Sequence, residues 1–153
     1  MPGPLDVEVR VILTPSQEPK WHLESALLQG GKLTFRNNGH PGFNVFFVIE
    51  DPERSGYQFP NDEDKALAAT PLAGPGTDCP GQGVSWNQFK PKEVIKSVGR
   101  NTTLKVHNPN AKGQECDFGY TLFVTLEPEG TGPFWELDPI GSNQNGPTSS
   151  TNQ

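Results

Sequence analysis

"NNGHPGFNVFFVIED", residues 37–51, sets a polar turn directly against the most apolar run in the chain. From Phe43 onward the run is apolar on both sides at period two: Phe43, Val45, Phe47 and Ile49 share one face, while Asn44, Phe46, Val48 and Glu50 share the other. A run this rich in aromatic and β-branched side chains reads as a strand central in its sheet, covered above and below. His40 lies in the turn ahead of it. It is either a metal ligand at the mouth of a sheet or a turn residue at the solvent end of a buried strand, and the second reading is preferred.

Outward from that strand the chain keeps to short alternating segments. "LDVEVRVIL" places Leu5, Val7, Val9 and Val11 opposite Asp6, Glu8 and Arg10, and Pro15 and Pro19 stop it. Residues 21–28 are too short for a helix before "QGGK" and read as a strand, as do "KLTFR", "VSWNQF" and "GRNTTLKVHN". "EVIKSV" is a further strand, cut off from "VSWNQF" by a break at Lys90, Pro91 and Lys92. "DFGYTLFVTLE" turns Phe118, Tyr120, Leu122, Val124 and Leu126 one way. One short helix is expected over residues 62–69, where Asn61 can cap and Asp62, Glu63 and Asp64 sit at the positive end of the helix dipole. "LTFRNN…FNVFFVIEDPE" and "LKVHNP…FGYTLFVTLEPE" follow one plan, which is either two β-hairpins of a Greek-key sandwich or simply what any two hairpins look like. The fold expected is all-β: an antiparallel Greek-key β-sandwich of about seven or eight strands over residues 1–140, followed by a flexible polar tail over 141–153.

Composition agrees with one such domain. A chain of 153 residues buries about 68–70% of its unfolded surface, so neither metal nor disulfide is required for it to fold, and no cofactor is expected. Its 17 glycines and 16 prolines fall between apolar runs, as in a many-turned β protein. The net charge of −6, taken as spread along the chain, argues against nucleic acid or an anionic membrane as partner. A protein or a small ligand is expected instead. No run approaches the length of a membrane span, and the acidic, alternating start lacks the pattern of a secretory leader. The expectation is a cytoplasmic chain, or a secreted or periplasmic one whose leader has been removed.

Two stretches resemble the cupredoxin-like β-sandwich family. "KLTFRNNGHPGFNVFF" is similar to the place where that family sets its first copper-binding histidine, and "VHNPNAKGQECDFGYTLFV" to its final strand pair with a cysteine in the loop. The resemblance covers residues 33–48 and 104–124, and it implies a cupredoxin- or immunoglobulin-like scaffold. The ligand set departs from the family: no histidine follows Cys116, and the only methionine is Met1. A different metal site would draw on His40, His107 and Cys116, all in or beside turns. Cys79 and Cys116 can alternatively form a disulfide in an oxidising compartment, and otherwise remain free thiols.

Enzymatic motifs do not emerge. "DEDK" and "EDPER" gather acids without separating their environments, and no nucleophile elbow or phosphate loop appears. Trp21, Trp86 and Trp135, with Tyr57, Phe59 and Phe134, are candidates for an aromatic platform that stacks on a sugar, or else for core. "RNTT" at Asn101 fits an N-glycosylation acceptor. The function expected is therefore a non-enzymatic binding or assembly module. Its alternatives are a metal-binding protein using His40, His107 and Cys116, or a glycan-binding module using exposed tryptophans.

Overall fold

The computed structural model describes residues 4–15, 17, 19–29, 32–36, 42–51, 56–71, 89–97, 99–109, 116–127, 134–137 and 140–144; for residues 36, 70, 71, 116–118 and 140–144 it describes the backbone alone. Among these residues the chain forms β1 (Leu5–Thr14), β2 (Lys20–Glu24), β3 (Leu28–Gln29), β4 (Lys32–Arg36) and β5 (Phe43–Glu50). A 3₁₀ turn (Glu63–Lys65) follows, then β6 (Leu67–Pro71), β7 (Lys90–Ser97), β8 (Arg100–Asn108), β9 (Cys116–Val124), β10 (Trp135–Leu137) and β11 (Ile140–Gln144). The fold is all-β, and no helix among the described residues is long and apolar enough to cross a membrane.

Five strands make one sheet in the order β2-β1-β5-β8-β7. In the other, β9 is flanked on one side by β6 and on the other by β10 and β11, with β4 and β3 beyond β11. Leu137 pairs with Leu122 and Ile140 with Gly119, so β10 and β11 continue one register along β9. The sheets meet through their inward side chains. Val9, Val11 and Leu13 of β1, Val45 and Phe47 of β5, and Leu104 and Val106 of β8 are all buried; so are Leu33 and Phe35 of β4, and Leu122 and Val124 of β9. Rings close the gap: Phe35 lies 5.1 Å from Phe43, Phe47 lies 5.8 Å from Tyr120, and Phe89 lies 5.0 Å from Tyr120, all tilted or edge to face. Each such pair adds about 0.5–1.5 kcal/mol to the burial of its rings. Burial also pushes the Tyr120 phenol well above its ordinary pKa.

β5 sits between β1 and β8, as its sequence suggests, but only its inner face is covered. Asn44, Phe46, Val48 and Glu50 form an outer face that is half-buried. At its entry Gly42 adopts φ 139°, and a Cβ there would stand 2.8 Å from the Asn108 carbonyl oxygen. Glycine is what lets the turn pass this close to the end of β8.

Several expectations are corrected. Two strand pairs run parallel, β1 with β5 and β4 with β11. The two echoing segments are not hairpins: β4 and β5 belong to different sheets, and so do β8 and β9. Each echo is thus a crossing between layers, with β5 and β8 meeting in one sheet while β4 and β9 flank β11 in the other. The helix expected over 62–69 is a single 3₁₀ turn, capped by Asp62, whose Oδ1 accepts the Asp64 N–H at 3.0 Å. From Leu67 the chain pairs with β9 instead, because a ladder along a buried strand outweighs the propensity of a helix too short to nucleate. Pro91 does not end a strand either. It lies in β7, an edge strand in which a missing N–H is tolerated, at a bulge between Pro91 and Glu93. Most of the strand expected over 84–89 lies outside the described residues.

The boundary expected at residue 140 also moves. Ile140–Gln144 pair with β9 on one side and β4 on the other, so part of the expected tail is a central strand of the second sheet. Residues 145–153 lie outside the described residues. Ser142→Pro tests the point, since it removes a backbone donor from a strand laddered on both edges. Leaving an acceptor stranded costs about 1–3 kcal/mol, read as a lower urea midpoint, whereas an unchanged midpoint would return this segment to a tail.

Candidate functional site

Alternation decides what the outer face of the five-stranded sheet presents. Residues directly opposite one another on neighbouring strands point the same way, and here they form rows across the sheet. One row runs from Asp6 on β1 through Asn44 on β5 and His107 on β8 to Lys90 on β7. The next runs through Glu8, Phe46, Lys105 and Glu93. Between Lys90 and Glu93 the bulge inserts Lys92, an extra side chain opposite no residue of β8.

The first row is hydrogen-bonded across three of its four strands. Asn44 Nδ2 donates to Asp6 Oδ1 at 3.0 Å, and His107 Nδ1 lies 3.2 Å from Asn44 Oδ1. A carboxylate only accepts, so Asp6 fixes the Asn44 amide with its NH₂ group toward β1 and its oxygen toward His107. His107 Nδ1 must then carry the ring proton, and Nε2 is the nitrogen that gains one on acidification. Partial burial, then the charges of Lys92 and Lys105, hold the His107 pKa below its ordinary 6.5, against a smaller opposing pull from a hydrogen bond with the Phe43 backbone. His107 is therefore chiefly neutral at pH 7. Lys105 Nζ stands 6.0 Å from the centre of the Phe46 ring, an exposed cation–π contact of about 0.5–1 kcal/mol.

The charge here opposes that of the rest of the molecule. Between Lys90 and Asn108 the chain carries five bases, Lys90, Lys92, Lys96, Arg100 and Lys105, and one acid, Glu93. That net +4 in a chain of −6 leaves −10 on all other residues. The bases do not spread out, because β7 and β8 form a two-residue hairpin, Ser97 opposite Arg100, in which Gly99 takes a left-handed φ of 78°. Lys90, Lys92, Lys105 and His107 thus converge at the open end of the hairpin. Elsewhere on this face Arg10 is compensated, its Nη2 lying 2.6 Å from Glu24 Oε1 and its Nε 2.7 Å from Glu50 Oε2. Among the described residues, no acid lies in ion-pair contact with Lys90, Lys92 or Lys105.

The residues singled out in the sequence fall as follows. His40, Cys79 and Trp86 lie outside the described residues, and with Cys79 so does the Cys79–Cys116 pairing. His107 is on the outer face of the first sheet, bonded to Asn44, while Cys116 begins β9 of the second, opposite Asn143. His40 and the side chain of Cys116 being outside what is described, a His40, His107 and Cys116 centre lies outside the described residues. The His, Cys, Asp and Glu group close enough to share an ion, among the described residues, is Asp62, Glu63 and Asp64, two exposed and Glu63 half-buried, where Asp62 is occupied in capping the 3₁₀ turn. Trp21 and Trp135 both pack partly buried against the core, one from each sheet, with Trp135 5.8 Å from the Tyr57 ring. Tyr57 and Phe59 are fully buried, which removes them from an aromatic platform. The basic hairpin end escaped the reading of the sequence because net charge was taken over the whole chain. A count of charges over 90–108 alone would have found it.

Comparison with protein-family models, with the curated proteins and with the solved structures finds no match.

Asn101, the glycosylation candidate, has a structural role. It is 1% exposed; its Nδ2 donates to the Phe59 carbonyl at 3.0 Å and to Asn61 Oδ1 at 2.8 Å, and its backbone N–H donates to Gln58 Oε1 at 3.0 Å. Gln58 Nε2 in turn donates to the Glu127 carbonyl at 2.7 Å, so this buried pair ties residues 58–61 to β8 and to the chain beyond β9. Asn101→Ala should cost about 1–3 kcal/mol in urea unfolding by leaving those acceptors stranded. A neutral substitution would contradict this assignment.

Proposed function

We propose that this chain is a non-enzymatic binding module, built on a cupredoxin-like Greek-key β-sandwich, that engages an anionic ligand through the outer face of its five-stranded sheet. The observation that carries this reading is the reversal of charge at the open end of the β7–β8 hairpin. Three lysines gather there, none in ion-pair contact with an acid among the described residues although Glu93 lies opposite Lys105, on a molecule whose other residues sum to −9. Charges this close lie within about one Debye length of each other at physiological salt, so an approaching anion meets them as one field. The Asp6, Asn44 and His107 row gives that field a fixed polar floor.

A cation exchanger tests the reading cheaply. With a pI near 5.0 the chain is repelled by a sulfonate matrix at pH 7 if only net charge matters. Wild type should instead be retained in low salt and released as salt rises, while the triple variant Lys90→Glu, Lys92→Glu, Lys105→Glu should flow through. Wild type emerging in the flow-through would overturn the proposal.

A further inference from the structure

We infer that the open end of the β7–β8 hairpin is a discrete site for a tetrahedral oxyanion of phosphate or sulfate type, held by Lys90, Lys92 and Lys105 and coupled to protonation of His107. This rests on the binding-face reading above and narrows it to a ligand. The donors decide the class. The cluster holds ammonium groups and an imidazole but no guanidinium, so it lacks the planar fork that matches a carboxylate and offers separate point charges that suit a compact dianion. The bulge supplies the third lysine, because a regular ladder would have given β7 one fewer side chain across this span. Strand addition by a peptide is a poorer occupant of the same edge: Pro91 lacks an N–H, and the register shifts at Pro91/Glu93 and at Ile95/Lys96 break the row of groups a new strand would need.

His107 makes the site sensitive to protons. The charged and titratable groups around it are Lys90, Lys92 and Glu93 from β7, Lys105 from β8, Asp6 from β1 through Asn44, and Glu8 one row on. Without an anion, partial burial and then the charges of Lys92 and Lys105 disfavour imidazolium. The unfolded chain therefore takes up this proton first, and the cost to folding is absent above pH 6.5, grows as pH falls through 6.5, and is complete below the depressed folded value. A bound dianion reverses the balance. It offsets the lysines and gives Nε2–H an acceptor, so binding raises the His107 pKa and tightens as pH falls.

The test is an NMR pH titration of the ring protons of His107 and His22 in the full chain, at matched ionic strength in chloride, sulfate or phosphate. Sulfate keeps its charge throughout, whereas phosphate titrates, so sulfate isolates the contribution of the imidazole. The expected result is a saturable shift at His107 with its pKa raised by about one unit, which corresponds to a roughly tenfold preference of the anion for the protonated form. His22, exposed beside Glu24 at 3.5 Å on the far edge strand, should not follow it. Lys92→Gln and Lys105→Gln should each weaken the saturable shift, and Lys20→Gln on β2 should leave it intact. Saturation by both anions supports a charge-selective site, and saturation by phosphate alone supports a phosphate site. Parallel, unsaturating drifts of His22 and His107 in both salts would overturn the inference. If the chain is nevertheless retained on the cation exchanger, the binding face stands and only the discrete site falls; if it is not retained, both fall.

Discussion

β5 is held on both edges, by β1 in parallel and by β8 antiparallel, and this double pairing constrains everything around it. A strand laddered on both sides has no register freedom, and at period two one register fixes which side chains enter the core. Phe43, Val45, Phe47 and Ile49 therefore face the second sheet, where Phe35 and Tyr120 meet them ring to ring. The same register obliges Asn44 to lie between Asp6 and His107, and Phe46 between Glu8 and Lys105. Core and surface site are two faces of one pairing.

That coupling accounts for a concentration of charge in an acidic protein. Lys105 and His107 are two residues apart on β8 and so share a face, and Lys90 is brought opposite His107 by a tight turn at Gly99. Lys92 joins them through a bulge on an edge strand, where pairing can be irregular without exposing a second strand. The lysines also guard that edge against pairing with another chain, a role compatible with ligand binding because both exploit unpaired positive charge. Arg10 marks the contrast: ion-paired with Glu24 and Glu50, it links β2, β1 and β5 and presents little free charge.

Alternation made β1, β5, β8 and β9 legible, since one face of each is buried and the period-two pattern records that directly. It was blind where backbone pairing rather than side-chain burial holds the chain. β11, "IGSNQ", has almost no apolar pattern and is a strand because β9 and β4 saturate both of its edges. β6 reads as helix by propensity and is a strand by its ladder to β9. Layer assignment was illegible for a different reason: a polar turn between two alternating segments looks the same whether the chain folds back in one sheet or crosses to the other. Of the site, His107 was visible as a histidine, but its partners were not, because Asn44 lies 63 positions from His107 and Asp6 a further 38 from Asn44. Asn101 illustrates the converse, a motif that fits a glycosylation acceptor but whose amide the fold requires inside.

The claim on which the functional account turns is that charge is segregated on the folded molecule, with the open end of the β7–β8 hairpin positive against an acidic remainder. Paramagnetic relaxation by small soluble nitroxides of opposite charge measures this residue by residue in solution. The account predicts that an anionic nitroxide relaxes the protons of Lys90, Lys92, Lys105 and His107 more strongly than a cationic one, with the order inverted around Asp62, Glu63 and Asp64. Equal relaxation by the two probes at the hairpin end would contradict it.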